Sequence, residues 1–161
     1  MKKLTVGFSS HKGSILSWLI KLCLGTKYSH VYVKFYSESL DINIIYQASG
    51  LAVNMIGEPL FLKKNKVIAE KEFEIDEETY SKTIRFAITK CGEPYSIMQL
   101  FGMAYIQFAS LFGFKVRNPF PNGRADYVCS ELVAELLKKF KETNFEDLDS
   151  LDPKDIYKAI M

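Results

Sequence analysis

The sequence predicts an α+β fold in which a small, mainly antiparallel sheet packs against helices. Three observations carry this. Short alternating apolar and polar segments crowd the first half of the chain, and helical periodicity dominates the second. The 161 residues contain no repeat, low-complexity tract or Ser/Gly linker, so 1–161 reads as one domain. A chain of this length buries roughly two thirds of its unfolded surface, enough for a real core.

The elements follow in order. Leu4 to Phe8 reads as a short strand. Ser14 to Leu24 carries Ile15, Trp18, Leu19, Leu22 and Cys23 at helical spacing, with Gly13 or Ser14 to cap it and Gly25 to end it. Ser29 to Tyr36 alternates, with Val31, Val33 and Phe35 on one face and His30, Tyr32 and Lys34 on the other. Asn43 to Ser49 is the next strand, Gly50 makes a turn, and Leu51 to Ile56 returns antiparallel. Lys66 to Ile75 is a further strand. Asp76 caps a helix to about Cys91, with Glu77 and Glu78 in the first turn, where the helix dipole favours acids.

Gly92-Glu93-Pro94-Tyr95 breaks the chain. Tyr95 to Phe114 then holds no charged residue over 20 positions. Its length admits a membrane span, but Gln99, Gln107 and the lack of one-sided basic flanks point to a buried or interface-lying helix. Such a helix makes peripheral membrane contact through 95–114 an expectation. Arg117 to Arg124 is a loop, marked by Asn-Pro, Phe-Pro and Asn-Gly. Asp126 is positioned to cap a helix through Phe140, whose stripe is Val128, Leu132, Val133, Leu136, Leu137 and Phe140. Asp152-Pro153 opens a final short helix.

Composition bounds the function. Hydrophobic residues are 48% and charged residues 25%, a globular balance, and a formal net charge of +2 is too small to argue for nucleic acid. Residues 1–40 nevertheless hold six lysines against one glutamate. Such a face either is simply solvated or meets an anionic surface. Three cysteines, Cys23, Cys91 and Cys129, form no CxxC pair, so a reducing, cytoplasmic setting is expected. Leu4 to Ser10 is too short and polar for the apolar stretch of a secretory signal.

Cys129 lies in the first turn of its helix. Unpaired backbone N–H groups and the helix dipole favour a thiolate there, so this is where a nucleophilic cysteine belongs. It also fits the apolar stripe, where free cysteine serves as core. Of two histidines, His30 is on a strand and His11 in a polar loop. A strand holds a general base more rigidly, although a strand histidine also serves as an ordinary sheet residue. Gln47, on the next strand, reaches His30 if the strands pair, and would orient the ring without supplying charge. It reads equally well as an ordinary polar strand residue. The chain has no Walker loop, GxGxxG or HExxH, and Ser9, Ser49 and Ser130 lack a GxSxG elbow, so no cofactor or metal is expected.

Several segments together resemble the circularly permuted NlpC-type papain-like cysteine peptidases and amidases, distant relatives of which include lecithin retinol acyltransferase-like proteins. They are Ile15-Leu16-Ser17-Trp18-Leu19-Ile20 with Lys27-Tyr28-Ser29-His30-Val31-Tyr32-Val33; Ile45 through Val53; Gly92-Glu93-Pro94-Tyr95; Tyr127-Val128-Cys129-Ser130-Glu131-Leu132-Val133; and Leu151-Asp152-Pro153-Lys154-Asp155-Ile156. They occur in family order, histidine first and cysteine last. The resemblance implies a papain-like fold, Cys129 as nucleophile, His30 as base and Gln47 as the orienting residue, where many members carry Glu. It implies a Cys129 backbone N–H in an oxyanion hole, with Tyr127 and Tyr95 lining the site. The chemistry implied is acyl transfer through a thioester, on peptide or isopeptide amides, cell-wall peptides among them, or on lipid esters. Hydrolysis of cell wall would require export, a phage origin or a cytoplasmic recycling role.

Overall fold

In the computed structural model, the residues described are 1–50, 52–94, 109, 113–114, 116, 128–141, 145 and 151–161, without the side chains of Leu16 and Cys23. Five strands form one antiparallel sheet: β1 (Lys2–His11), β2 (His30–Ser37), β3 (Ile42–Ser49), β4 (Ala52–Gly57) and β5 (Asn65–Ile75), in the order β4-β3-β2-β1-β5. Helix α1 (Ile15–Leu24) joins β1 to β2, α2 (Glu58–Lys64) joins β4 to β5, and α3 (Glu77–Lys90) follows β5. Helices α4 (Cys129–Phe140) and α5 (Pro153–Ile160) lie towards the C-terminus. The α+β class with a mainly antiparallel sheet is therefore present.

Strand alternation divides the sheet into two buried faces. Leu4, Val6 and Phe8 of β1, Val31, Val33 and Phe35 of β2, and Tyr46, Ala48 and Val53 point to the main core. There they meet Cys129, Leu132, Val133, Leu136 and Leu137 of α4 and Ile156 and Ile160 of α5. The opposite face carries Tyr32 and Ile45, covered by Phe61 of α2, whose ring centre is 4.7 Å from that of Tyr32. Gly7 is part of this second face. A Cβ there would fall 2.2 Å from the Tyr32 ring, so only glycine lets the ring cross β1.

Local chemistry accounts for most boundaries. Ser14 Oγ accepts the Ser17 N–H and Gly25, in the left-handed region at φ 63°, closes α1. Asp76 accepts the Thr79 N–H at 2.9 Å and starts α3. Asp152 accepts the N–H groups of Lys154 and Asp155, while Asp155 accepts that of Asp152, a reciprocal box at the start of α5.

Three boundaries differ from the sequence reading. β1 is longer than Leu4 to Phe8, because β2 and β5 pair on both sides and complete its ladders from Lys2 to His11. α2 was not anticipated. Helix α4 begins at Cys129 behind Val128, whose N–H donates to the Glu131 carboxylate at 3.2 Å. Asp126, the expected cap, lies outside the described residues, as does most of the uncharged 95–114 stretch. Among the described residues no helix is long and apolar enough to cross a membrane.

Candidate active site

His30 opens β2, and its Nε2 is 2.9 Å from Gln47 Oε1 on β3. The β2–β3 ladder runs from Ser37↔Ile42 to Val33↔Tyr46. Beyond it, this side-chain bond spans the two strands.

The tautomer of His30 follows from a chain of bonds that begins at the backbone. Asn54 Nδ2 donates to the carbonyls of Ser49 and Ala52, at 3.2 and 2.9 Å. Carbonyls only accept, so the Asn54 amide is oriented and its Oδ1 faces Gln47. Gln47 Nε2 donates to that oxygen at 3.2 Å, which turns Gln47 Oε1 towards His30. An oxygen there requires a donor, so Nε2 carries the hydrogen and Nδ1 of the neutral ring keeps its lone pair. A general base needs that arrangement.

Burial holds the ring neutral. It lowers the His30 pKa from 6.5 to about 4; the bond to Gln47 opposes the shift and the charge of His11 adds to it. Ser9 pairs with His30 across the β1–β2 ladder, and its buried Oγ makes no hydrogen bond among the described residues. A line of buried hydroxyls anchors the segment before His30. Ser17 and Ser29 Oγ atoms are 2.6 Å apart, and the Ser29 N–H donates to the Ser9 carbonyl at 2.9 Å.

Cys129 is the first residue of α4 and is 3% exposed. Its sulfur lies against β2, where the N–H of Val31, the residue after His30, favours the thiolate. The N–H groups of Ser130 and Cys129 act the same way. Burial is the larger effect and pushes the thiol from 9 up to about 11, with the buried Glu131 carboxylate adding to it. The helix start alone predicts a lowered value; desolvation of the sulfur reverses the sign. Among the described residues no hydrogen bond joins Cys129 Sγ to the His30 ring, and burial keeps the thiol and the imidazole each in its neutral form.

Thus His30 and Gln47 are bonded directly, and Cys129 meets β2 at Val31, which alternates with His30 on that strand. Tyr127 and Tyr95 lie outside the described residues. His11 is exposed, its Nδ1 2.9 Å from the Lys12 carbonyl. Cys91 is exposed at the end of α3. No group of three or more His, Cys, Asp or Glu side chains among the described residues is arranged to hold a metal ion.

Two residues escaped the sequence reading. Asn54 had a usable signal: a hairpin closing at Ser49↔Ala52 puts Gln47 opposite Asn54. Glu131 had a weaker one, an acid three residues after the residue preceding the helix. No family model matches the chain, and no curated protein matches it.

Proposed function

We propose that the chain is a cysteine hydrolase of the permuted papain-like kind, with Cys129 as nucleophile, His30 as base and Gln47 as the residue that orients it. The observation that carries this reading is the bond relay from the Ser49 and Ala52 carbonyls through Asn54 and Gln47 to His30 Nε2. It fixes the tautomer that leaves Nδ1 free to accept a proton, on the strand against which a helix-start cysteine packs.

The chemistry is acyl transfer. Sγ of Cys129 attacks a carbonyl carbon as its thiol proton passes to His30 Nδ1, and the C=O electron pair moves to oxygen. The Cys129 backbone N–H contributes to the stabilisation of that oxyanion. Collapse breaks the bond to the leaving amine or alkoxide, which takes the proton from Nδ1 and departs, leaving a thioester. Water then attacks, gives a proton to Nδ1, and the thiol is released with the carboxylic acid. No sulfur-to-ring hydrogen bond is present among the described residues, and Val31 and His30 alternate on β2, so this reading requires the thiol and the ring to be brought together when substrate binds. Substrates of this class are peptide or isopeptide amides, with lipid esters as the alternative on the same machinery.

A second reading, a binding module with an inert thiol, is favoured by the neutral resting pair. Iodoacetamide alkylation of Cys129 across pH, read by peptide mass spectrometry, separates the two. A hydrolase gives an alkylation profile that changes in His30→Ala, with Cys91 as internal control. A Cys129 rate that rises only at alkaline pH and ignores His30→Ala supports the inert module.

A further inference from the structure

We infer that α1 is a docking surface for an anionic lipid bilayer. Its outward stripe is apolar: Ile15, Trp18 and Leu22, at positions i, i+3 and i+7, are 83%, 58% and 63% exposed. The inward side is committed to the protein, through Ser17 on Ser29 and Lys21 Nζ donating to Ser10 Oγ at 2.9 Å. Trp18 and Leu22 border an open depression of ≈ 480 Å³ that also holds Lys21, Lys27 and Lys66 and no acidic residue among the described residues. These three lysines form no ion pair among the described residues. Lys2, Lys3, Lys34, Lys82 and Lys90 elsewhere each meet a glutamate.

An exposed tryptophan beside aliphatic side chains and uncompensated cations fits an anionic bilayer surface. The ring sits at the headgroup level, Ile15 and Leu22 reach the acyl boundary, and Lys27 and Lys66 meet phosphates. A second copy fits poorly. A two-fold contact would set lysine clusters against each other, and a three-residue stripe is far short of the roughly 800 Å² a stable interface buries on each partner. The surface bears on the candidate active site, because Ser29, held by Ser17 of α1, precedes His30. The inference goes beyond the proposed hydrolysis and stands whether or not Cys129 reacts.

The chain has one tryptophan, so its emission reports on α1 alone. The full chain is mixed at low salt with phosphatidylcholine vesicles, with or without phosphatidylglycerol, and followed by Trp18 emission and co-sedimentation. The expected result is a shift to shorter wavelength and pelleting only with phosphatidylglycerol, weakened by salt. Lys27→Glu with Lys66→Glu is expected to lower the apparent affinity by at least about tenfold. Ile15→Gln with Leu22→Gln changes only exposed side chains and is expected to remove the shift, while Cys129→Ala binds as the native chain does. Four outcomes overturn the inference: no shift with anionic vesicles, equal binding to neutral ones, an emission already at short wavelength before lipid is added, or a concentration-dependent shift without lipid, which marks self-association.

Discussion

One face of β2 carries two polar clusters of opposite character. At its middle Lys34 donates to both oxygens of Glu70, at 2.7 and 2.8 Å, and approaches Glu58 at 3.4 Å; the neighbouring Tyr32 hydroxyl also donates to Glu70, at 2.8 Å. At its start His30, Gln47 and Asn54 form a relay of neutral groups. The first cluster closes on itself, charge against charge. The second ends in an imidazole whose other nitrogen keeps a lone pair. A closed ionic network holds strands together, whereas an uncharged relay orients one base and leaves it available. The difference separates a structural cluster from a candidate site on one strand.

Gln47→Leu removes the acceptor at Nε2 and frees the ring to rotate, and kcat/KM of any accepted ester or amide is expected to fall about a hundredfold. Gln47→Glu makes the opposite change. A carboxylate beside the ring favours imidazolium, so the acid limb of the pH–rate profile moves to higher pH by about one to two units. An unmoved limb contradicts a direct His30–residue 47 bond.

Stability against pH reads the same neutrality. Folded His30 titrates near 4 against an ordinary 6.5, so the unfolded chain binds more protons in between and stability falls as pH drops from about 6.5 to about 4. Folded Cys129 keeps its proton to about 11 against an ordinary 9, so stability falls again as pH rises from about 9 to about 11. Urea denaturation of His30→Asn is expected to show a flatter acid limb, and of Cys129→Ala a flatter alkaline one.

The ionic cluster should respond in stability alone. Glu70→Ala leaves Lys34 and the Tyr32 hydroxyl without their shared acceptor and is expected to cost about 2 kcal/mol in denaturant unfolding, with the pH profile of Cys129 alkylation unchanged. A shifted profile would join the two clusters after all. The smallest effect belongs to Asn54→Ala. It releases the Gln47 amide to flip and is expected to lower kcat about fivefold with KM held, since Asn54 acts only through Gln47.

Much of this was legible in the sequence. Alternation at Val31, Val33 and Phe35 located β2, and the Asp76 and Asp152 caps located α3 and α5, because period and capping are local signals. The full length of β1 was not, since its ends are completed by partners distant in the chain. Helix α2 carries ordinary helix signals, Pro59 at its start and Lys63 and Lys64 in its last turn, but its seven residues are too few to show a period. At the candidate site the His30–Gln47 bond follows from the pairing of adjacent strands, whereas the protonation of the groups is not legible. Helix-start reasoning favours a Cys129 thiolate, but the sign of its shift depends on how deeply α4 buries the sulfur against β2, a tertiary quantity. Asn54 was hidden for a related reason: its value lies in two backbone carbonyls that the hairpin turns towards it.

In the proposed reaction Cys129 forms a thioester with help from His30. That step is tested most directly by the mass of the intact protein after brief exposure to p-nitrophenyl acetate, followed by peptide mapping. The expected result is a transient acetyl adduct on Cys129 that forms and decays far more slowly in His30→Ala and is absent in Cys129→Ala. An adduct confined to Cys91, or one on Cys129 that forms equally fast without His30, would contradict it.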